Sequence, residues 1–284
     1  MPQSSGGRSP IVMDARPRYT PAGGTDAAGS ANRPGHIVNL RLYDRGGARA
    51  ASEARGMTQA RPLGDVACWV FDLDNTLYPA TSTVYVEVEQ RMNDFIMAHL
   101  RLDLAAAVAL RKKFFEAHGT TLRGLMNEYG LPPTPFLDYV HELDLSGLVA
   151  DAALHRAIGA LPGRKLIFTN ATRRHAERVL ARLGLAEHFC GIHGIEGCEY
   201  LPKPDPSGYR VLLERHGVDA GAAAMIDDMA KNLKPAASLG MTTIWLRGGP
   251  HMAEGDEDAA HVHHVADDLA SFLREAMAPK ARFG

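Results

Sequence analysis

Cysteine is scarce in this chain, with three among 284 residues. Cys68, Cys190 and Cys198 are odd in number and form no CxxC pair, which argues against a disulfide framework and against a thiolate zinc site. Cys68 stands inside an apolar run and reads as a small core residue. A reducing, cytoplasmic setting is therefore expected. Neither charge sign dominates, since 31 lysines and arginines meet 33 aspartates and glutamates for a net charge of −2. That balance gives no electrostatic grip on a nucleic-acid polymer or an anionic membrane. No apolar run approaches the roughly 18 residues that span a bilayer, and no internal repeat is found. Hydrophobic residues still make up 45% of the chain, enough to bury a sizeable core.

That apolar material is missing from the start of the chain. "MPQSSGGRSP", "TPAGGTDAAGSANRPG" and "DRGGARAASEARG" are rich in Gly, Ala, Arg, Ser and Pro. Such composition buries too little surface to offset chain entropy, so residues 1–64 are expected to form a disordered tail. Only His36 to Tyr43 (HIVNLRLY) has the makings of a short strand. The stretch lacks the apolar core of a secretory signal, and Asp14, Asp26, Asp44 and Glu53 weigh against a transit peptide. An over-extended reading frame with its true start at Met57 is an equal alternative. Either way, function is expected downstream.

From Asp65 onward, short apolar runs alternate with helical patterns. The runs are "VACWVF", "RKLIFTN", "AAAMIDD" and "TTIWLRG". Between them lie helical stretches at Arg173–Leu185, Pro206–Val218 and Met229–Gly240. In the first, Ala176, Val179, Leu180 and Leu183 recur at helical spacing before Gly184, a C-cap candidate. Pro235 in the last predicts an irregular first turn or a late start. Strands alternating with helices imply a parallel sheet covered on both faces, with ligands bound at the carboxyl ends of the strands. Asp72, Asp74, Thr169, Asn170, Asp227 and Asp228 all fall there. Residues 82–154 break the alternation and read as helices without strands, an inserted cap. The core is then expected over 65–81 and 155–275.

Each residue type at those strand ends has an ordinary structural reading. A DxD is common in loops, Thr-Asn after a strand often caps a helix, and paired aspartates before a helix suit its dipole. Lys203, between prolines expected to hold its backbone extended, is by itself a surface lysine. Their conjunction is what carries information. Two carboxylates at i and i+2 can serve as nucleophile and proton shuttle. Further acids suit Mg²⁺, and a lysine with small donors suits an anion. Together the set describes phosphoryl transfer.

"FDLDNTLY", "FTNA", "PKPDP" and "IDDMAKN" resemble the four motifs of the haloacid dehalogenase-like superfamily of phosphohydrolases, over Val66 to about Gly249. The resemblance implies a doubly wound, Rossmann-like α/β core with an all-helical cap. It implies that Asp72 attacks phosphorus to form an aspartyl-phosphate. Asp74 would protonate the leaving oxygen, activate water, and lend its backbone carbonyl to Mg²⁺. Thr169 would bond the phosphoryl group with Asn170 beside it, and Lys203 would steady the shared charge. Asp228 would be the direct metal ligand, assisted by Asp227, with Asn232 in support. The dehalogenases of the superfamily lack an acid at the position of Asp74, so its presence favours a phosphatase.

Within the cap, "HGTTLRGLMNEYG" and "YVHELDLSGL" resemble the pyrimidine 5′-nucleotidases of this superfamily, which hydrolyse UMP and CMP. Thr120, Thr121, Arg123, Asn127 and His141 are the candidate substrate contacts that this resemblance implies. His118 departs from the aromatic residue often found before "GTT". Three other readings stay open: a phosphatase for a sugar phosphate or phosphoglycolate, a phosphomutase, and a non-catalytic binding module on the same fold. The partner expected is a small phosphate monoester, and the sequence is silent on oligomeric state. The cluster "HVHHV", with His251 nearby, has no acidic or cysteine partner at ligand spacing. It reads as a partly exposed edge element before the helix "DDLASFLREAM".

Overall fold

The computed structural model describes residues 62–248 and 259–278. The expected tail lies outside the described residues except for its last three, and Leu63 to Asp65 make one 3₁₀ turn. The candidate strand at His36–Tyr43, Met57 and His251 also lie outside them.

Among the described residues, six strands form one wholly parallel sheet. They are β1 (Cys68–Phe71), β2 (Arg164–Phe168), β3 (Gly191–His193), β4 (Ala223–Asp227), β5 (Thr242–Leu246) and β6 (His264–Ala266). Their spatial order is β3-β2-β1-β4-β5-β6, so the winding reverses between β1 and β4. Such a switch point opens a crevice at the carboxyl ends of its two strands. β1 places Trp69 and Phe71 in one apolar layer and Cys68 and Val70 in the other, the period-2 alternation of a strand buried on both faces.

Helices α5 (Ala152–Ala160), α6 (Arg173–Leu183) and α9 (Leu269–Ala276) cover the Trp69 face. Helices α7 (Pro206–His216) and α8 (Ala230–Ser238) cover the other. The stripe anticipated in α6 is buried, and Gly184 ends the helix at φ 69°, a left-handed conformation that glycine takes without strain. α8 begins at Ala230 and keeps Pro235 inside it, so it does not start late. β6 is the edge strand announced by the histidine cluster. His261 bonds the Ala230 carbonyl, and His263 accepts from the Thr243 amide.

Between β1 and β2 come α1 (Thr83–Leu100), α2 (Leu104–His118), α3 (Thr121–Tyr129) and α4 (Pro133–His141). They enclose their own apolar cluster, including Phe95, Ile96, Phe114, Leu125 and Phe136. Gly124 lets α3 close on Phe114 of α2, because any Cβ there would overlap the ring. The expected cap boundary at 154/155 falls within α5. Leu154, Ala157 and Ile158 of that helix pack in the Trp69 layer, so α5 packs with the core. No helix among the described residues is long and apolar enough to cross a membrane.

Candidate active site at the switch point

Three strand ends and one turn supply the floor of the site. Past β1, the Asp72 amide donates to the Ile226 carbonyl at 2.9 Å, extending the pairing with β4 by one residue. Asp72 and Asp227 are thereby held side by side. The chain then turns at Asn75, whose φ of 64° is one that asparagine tolerates, and Leu77 bonds back to the Leu73 carbonyl. The helix after β2 is capped by Thr172, which accepts from the His175 amide. Thr169 is therefore not that cap. Its hydroxyl oxygen accepts from the Ala171 amide at 2.9 Å, which leaves its proton available to donate.

Lys203 is the hub. Its ammonium donates to Asp72 Oδ1 at 2.7 Å, to Asp227 Oδ2 at 2.7 Å and to the Phe168 carbonyl at 3.0 Å. These use all three of its protons, and the side chain is only 1% exposed. Around Lys203 the chain folds back on itself and does not run on as a straight strand. Residues Pro202 to Asp205 form a turn closed by the Asp205 amide on the Pro202 carbonyl, with the Lys203–Pro204 bond cis. Asn170 braces this turn: its Oδ1 accepts from the Lys203 amide at 2.7 Å and its Nδ2 donates to the Lys203 carbonyl. One donor and one acceptor of its amide, half of its capacity, are thus spent on Lys203. Asn232 likewise bonds Asp227 Oδ1, at 2.9 Å.

One ammonium faces three buried carboxylates, and the imbalance shows in the proton affinities of Asp72 and Asp228. Burial pushes Asp72 up to about 7 against the pull of Lys203, and the Asp227 charge adds to the rise. Burial followed by repulsion from Asp72 and Asp227 pushes Asp228 up to about 9. Burial would lower Lys203, but attraction to Asp227 and Asp72 outweighs it and holds the ammonium charged.

The ligand atoms of Asp72, Asp227 and Asp228 lie within 4.8 Å of one another. An all-oxygen, all-carboxylate group with excess negative charge fits a hard divalent cation. Asp227 is the least free of the three, because Lys203, Asn232 and the Met229 amide already occupy its two oxygens. The Asp74 carboxylate is not in the group. Behind it, the Asp228 carbonyl accepts from the Trp245 indole at 3.0 Å.

Asp74 turns to a different set of partners, two of which sequence reasoning missed. Tyr78 O–H donates to Asp74 Oδ1 at 2.5 Å, and His175 Nε2 lies 3.2 Å from the same oxygen. Burial would raise the Asp74 carboxyl, yet the charge and hydrogen bond of His175, with that of Tyr78, hold it below its ordinary value. The signal for His175 was legible: it lies four residues before Val179 on the apolar stripe of α6, where a polar side chain is out of place.

A cavity of about 830 Å³ lies over these groups. Asp72, Asp74, Thr169, Asn170, Lys203 and Asp228 line its floor. On the cap side, Thr120, Thr121 and His141 line it, whereas Arg123 and Asn127 do not. Both sit on α3, Arg123 in its first turn and Asn127 in its second. Arg123 exerts its charge on Asp205, and Asn127 reaches His118 at 3.4 Å. Thr120 also caps α3, accepting from the Arg123 amide. Tyr85, Glu89, Arg111 and Phe115 supply lining that sequence reasoning did not name. Arg111 is held by Glu89 at 2.6 Å and Asn93 at 3.1 Å, and Lys231 of α8 lies 4.4 Å over the Phe115 ring.

Strand order 3-2-1-4-5-6, acids at the switch point and a lysine buried among them define a Rossmann-like α/β protein with a charged site at its switch point. The family model for haloacid dehalogenase-like hydrolases matches residues 66–240, and the chain belongs to that family. Phosphate metabolism protein 8 of Saccharomyces cerevisiae is 30% identical over 190 residues, which are 60% of this chain and 58% of that protein. The chain thus spans little more than half of that relative. Glyceraldehyde 3-phosphate phosphatase of Methanocaldococcus jannaschii is 24% identical over 72% of this chain and 96% of its own length. The crystal structure of a phosphatase of this family from Thermococcus onnurineus superposes with a TM-score of 0.51 at 15% identity. It covers 74% of this chain and 97% of that one, a likeness of fold alone.

Proposed function

We propose that the protein is a cytoplasmic, Mg²⁺-dependent phosphomonoesterase acting on nucleoside 5′-monophosphates, with UMP and CMP preferred. The observation that carries the reading is the pairing at the end of β1: Asp72 is bound to a buried lysine, and Asp74, two residues on, faces the same cavity. In this reading a carboxylate oxygen of Asp72 attacks phosphorus as the P–O bond to the nucleoside breaks. Asp74, ionised in the free protein, takes up a proton from solvent as the phosphate dianion binds beside it and gives it to the departing oxygen. Asp74, now a carboxylate, takes a proton from the water that attacks the aspartyl-phosphate, which frees inorganic phosphate and restores Asp72. Lys203 holds the nucleophile in place and offsets its charge, and Thr169 donates to a phosphoryl oxygen. Asp72 and Asp228, with Asp227 in support and the Asp74 carbonyl, would hold Mg²⁺. A divalent cation there supplies the positive charge that lets carboxylates and a phosphate dianion share one site.

Thr120 and Thr121 offer hydroxyls to the sugar or base, and Tyr85 and Phe115 offer aromatic faces. His141 closes the same wall. A small phosphorylated sugar is the second reading, favoured by the relative in M. jannaschii that matches over nearly its whole length. Phosphate release with Mg²⁺ from UMP, CMP, their deoxy forms, AMP, GMP, phosphoglycolate and sugar phosphates tests the proposal, with Asp72→Asn as control. A preference for UMP and CMP supports it. A sugar-phosphate profile keeps the chemistry and replaces the substrate. No release from any compound moves the weight to a binding module.

A further inference from the structure

Two donors converge on one oxygen of Asp74. Tyr78 O–H and His175 Nε2 both meet Oδ1, at 2.5 and 3.2 Å, and no hydrogen bond among the described residues falls on Oδ2. The Asp74 side chain is 33% exposed while that of His175 is 1% exposed, so the free oxygen is the one open to the cavity. A carboxylate can only accept, which fixes the His175 proton on Nε2. His175 Nδ1 has no partner among the described residues, so the bond to Asp74 is the polar contact that the ring makes.

What holds the ring comes from the cap. His141, the last residue of α4, stacks on His175 with centroids 4.5 Å apart and planes 23° from parallel. The Thr172 hydroxyl serves both histidines: it accepts from the His175 amide and lies 3.1 Å from His141 Nδ1. Burial, then the neighbouring His175, pushes His141 down to about 3. The neutral ring and the Thr172 hydroxyl then share one hydrogen bond through Nδ1. Arg178 of α6 fastens the same helix end, donating to the His141 and Leu143 carbonyls at 2.7 Å each.

We propose that His175 and Tyr78 are positioning residues that pin Asp74 through Oδ1 and leave Oδ2 as its proton-carrying oxygen, with His141 of the cap clamping the His175 ring. The inference rests on the phosphomonoesterase reading and extends it. A proton donor displaced by a fraction of an ångström loses alignment with the leaving oxygen. The loss should be greatest where that oxygen needs a proton in order to leave.

The test compares kcat/KM for p-nitrophenyl phosphate, whose phenolate departs unprotonated, with that for the best alkyl phosphate of the panel. His175→Ala should lower the alkyl value by about 100-fold and the aryl value by about tenfold less. His175→Gln, whose amide N–H can replace Nε2–H, should recover most of the loss. Tyr78→Phe and His141→Ala should show the same selectivity with smaller losses. Equal losses on both substrates, no loss, or a glutamine no better than alanine would each overturn the proposal. If His175→Ala fails to fold, Tyr78→Phe and His175→Gln decide it by the same ratio. A wild-type protein inactive on both substrates removes the phosphomonoesterase reading and this inference with it. An active wild type with unselective variants removes the inference alone.

Discussion

The floor of the cavity comes from the ends of three parallel strands and one turn, whereas its roof comes from the flanks of cap helices. On the floor, hydrogen-bonded neighbours set each position: Asp72 and Asp227 lie beside each other because β1 and β4 pair through Phe71 and Ile226. In the roof, position depends on how helices pack, and a shift of one residue turns a side chain by about 100°. Arg123 and Asn127 show the consequence. They share a helix with Thr121 yet do not line the cavity, while Arg111 and Phe115 of the preceding helix do. Strand-end chemistry is thus tied to the sheet, and helix-borne specificity to packing angles.

The sharpest way to break this comparison is at the floor. Asp72→Asn should cut phosphate release by about 1000-fold or more while keeping the fold, since it removes a charge from a crowded site. Near-wild-type turnover in that variant would end the nucleophile assignment. Removing divalent cation with a chelator should be nearly as damaging to activity, and it has a second readout in stability. Asp72 and Asp228 sit above the ordinary 3.8, at about 7 and about 9. The metal-free folded protein therefore binds more protons than the unfolded chain across that window, and its stability falls as pH rises. Because Mg²⁺ displaces those protons, its gain in Tm should grow from about pH 5.5 to about pH 8.5. A gain that is flat or shrinking with pH would remove the carboxylates as its ligands.

At the roof the effects are expected to be smaller and to fall on KM. Arg111→Gln should raise KM for the preferred substrate by about tenfold, with kcat little changed. Arg123→Ala and Asn127→Ala should stay within about twofold of wild type. If steady-state kinetics reverse that ranking, the roof described by the cavity is not the surface that reads the substrate.

The same contrast governs how much was legible in the sequence. The four strands with solid apolar runs and the polar steps that end them were readable, because burial on both faces writes a continuous pattern. β3 was not, since Gly191–His193 is three residues long and carries no pattern of its own. Lys203 was legible as a motif residue but not in its conformation, because a proline neighbour restricts the backbone without choosing between an extended chain and a turn. The pairing of Asp74 with its partners was hidden for a different reason, although the place of His175 on the apolar stripe of α6 was a signal. Tyr78 reads as a loop aromatic and His175 as one more polar residue in "TRRHAERV" until the fold brings 74 and 175 within hydrogen-bonding distance.

The bond from Trp245 to the Asp228 carbonyl has an optical consequence. The chain has two tryptophans, and both are fully buried in the central sheet. One indole N–H is tied to the backbone of a candidate cation ligand, while that of Trp69 has no hydrogen-bond partner among the described residues. Ultraviolet emission is therefore a label-free gauge whose two fluorophores sit in opposite apolar layers of the sheet, one hydrogen-bonded to the backbone of the acidic centre and the other without that bond. A magnesium titration followed by fluorescence would read the first against the second without any added dye.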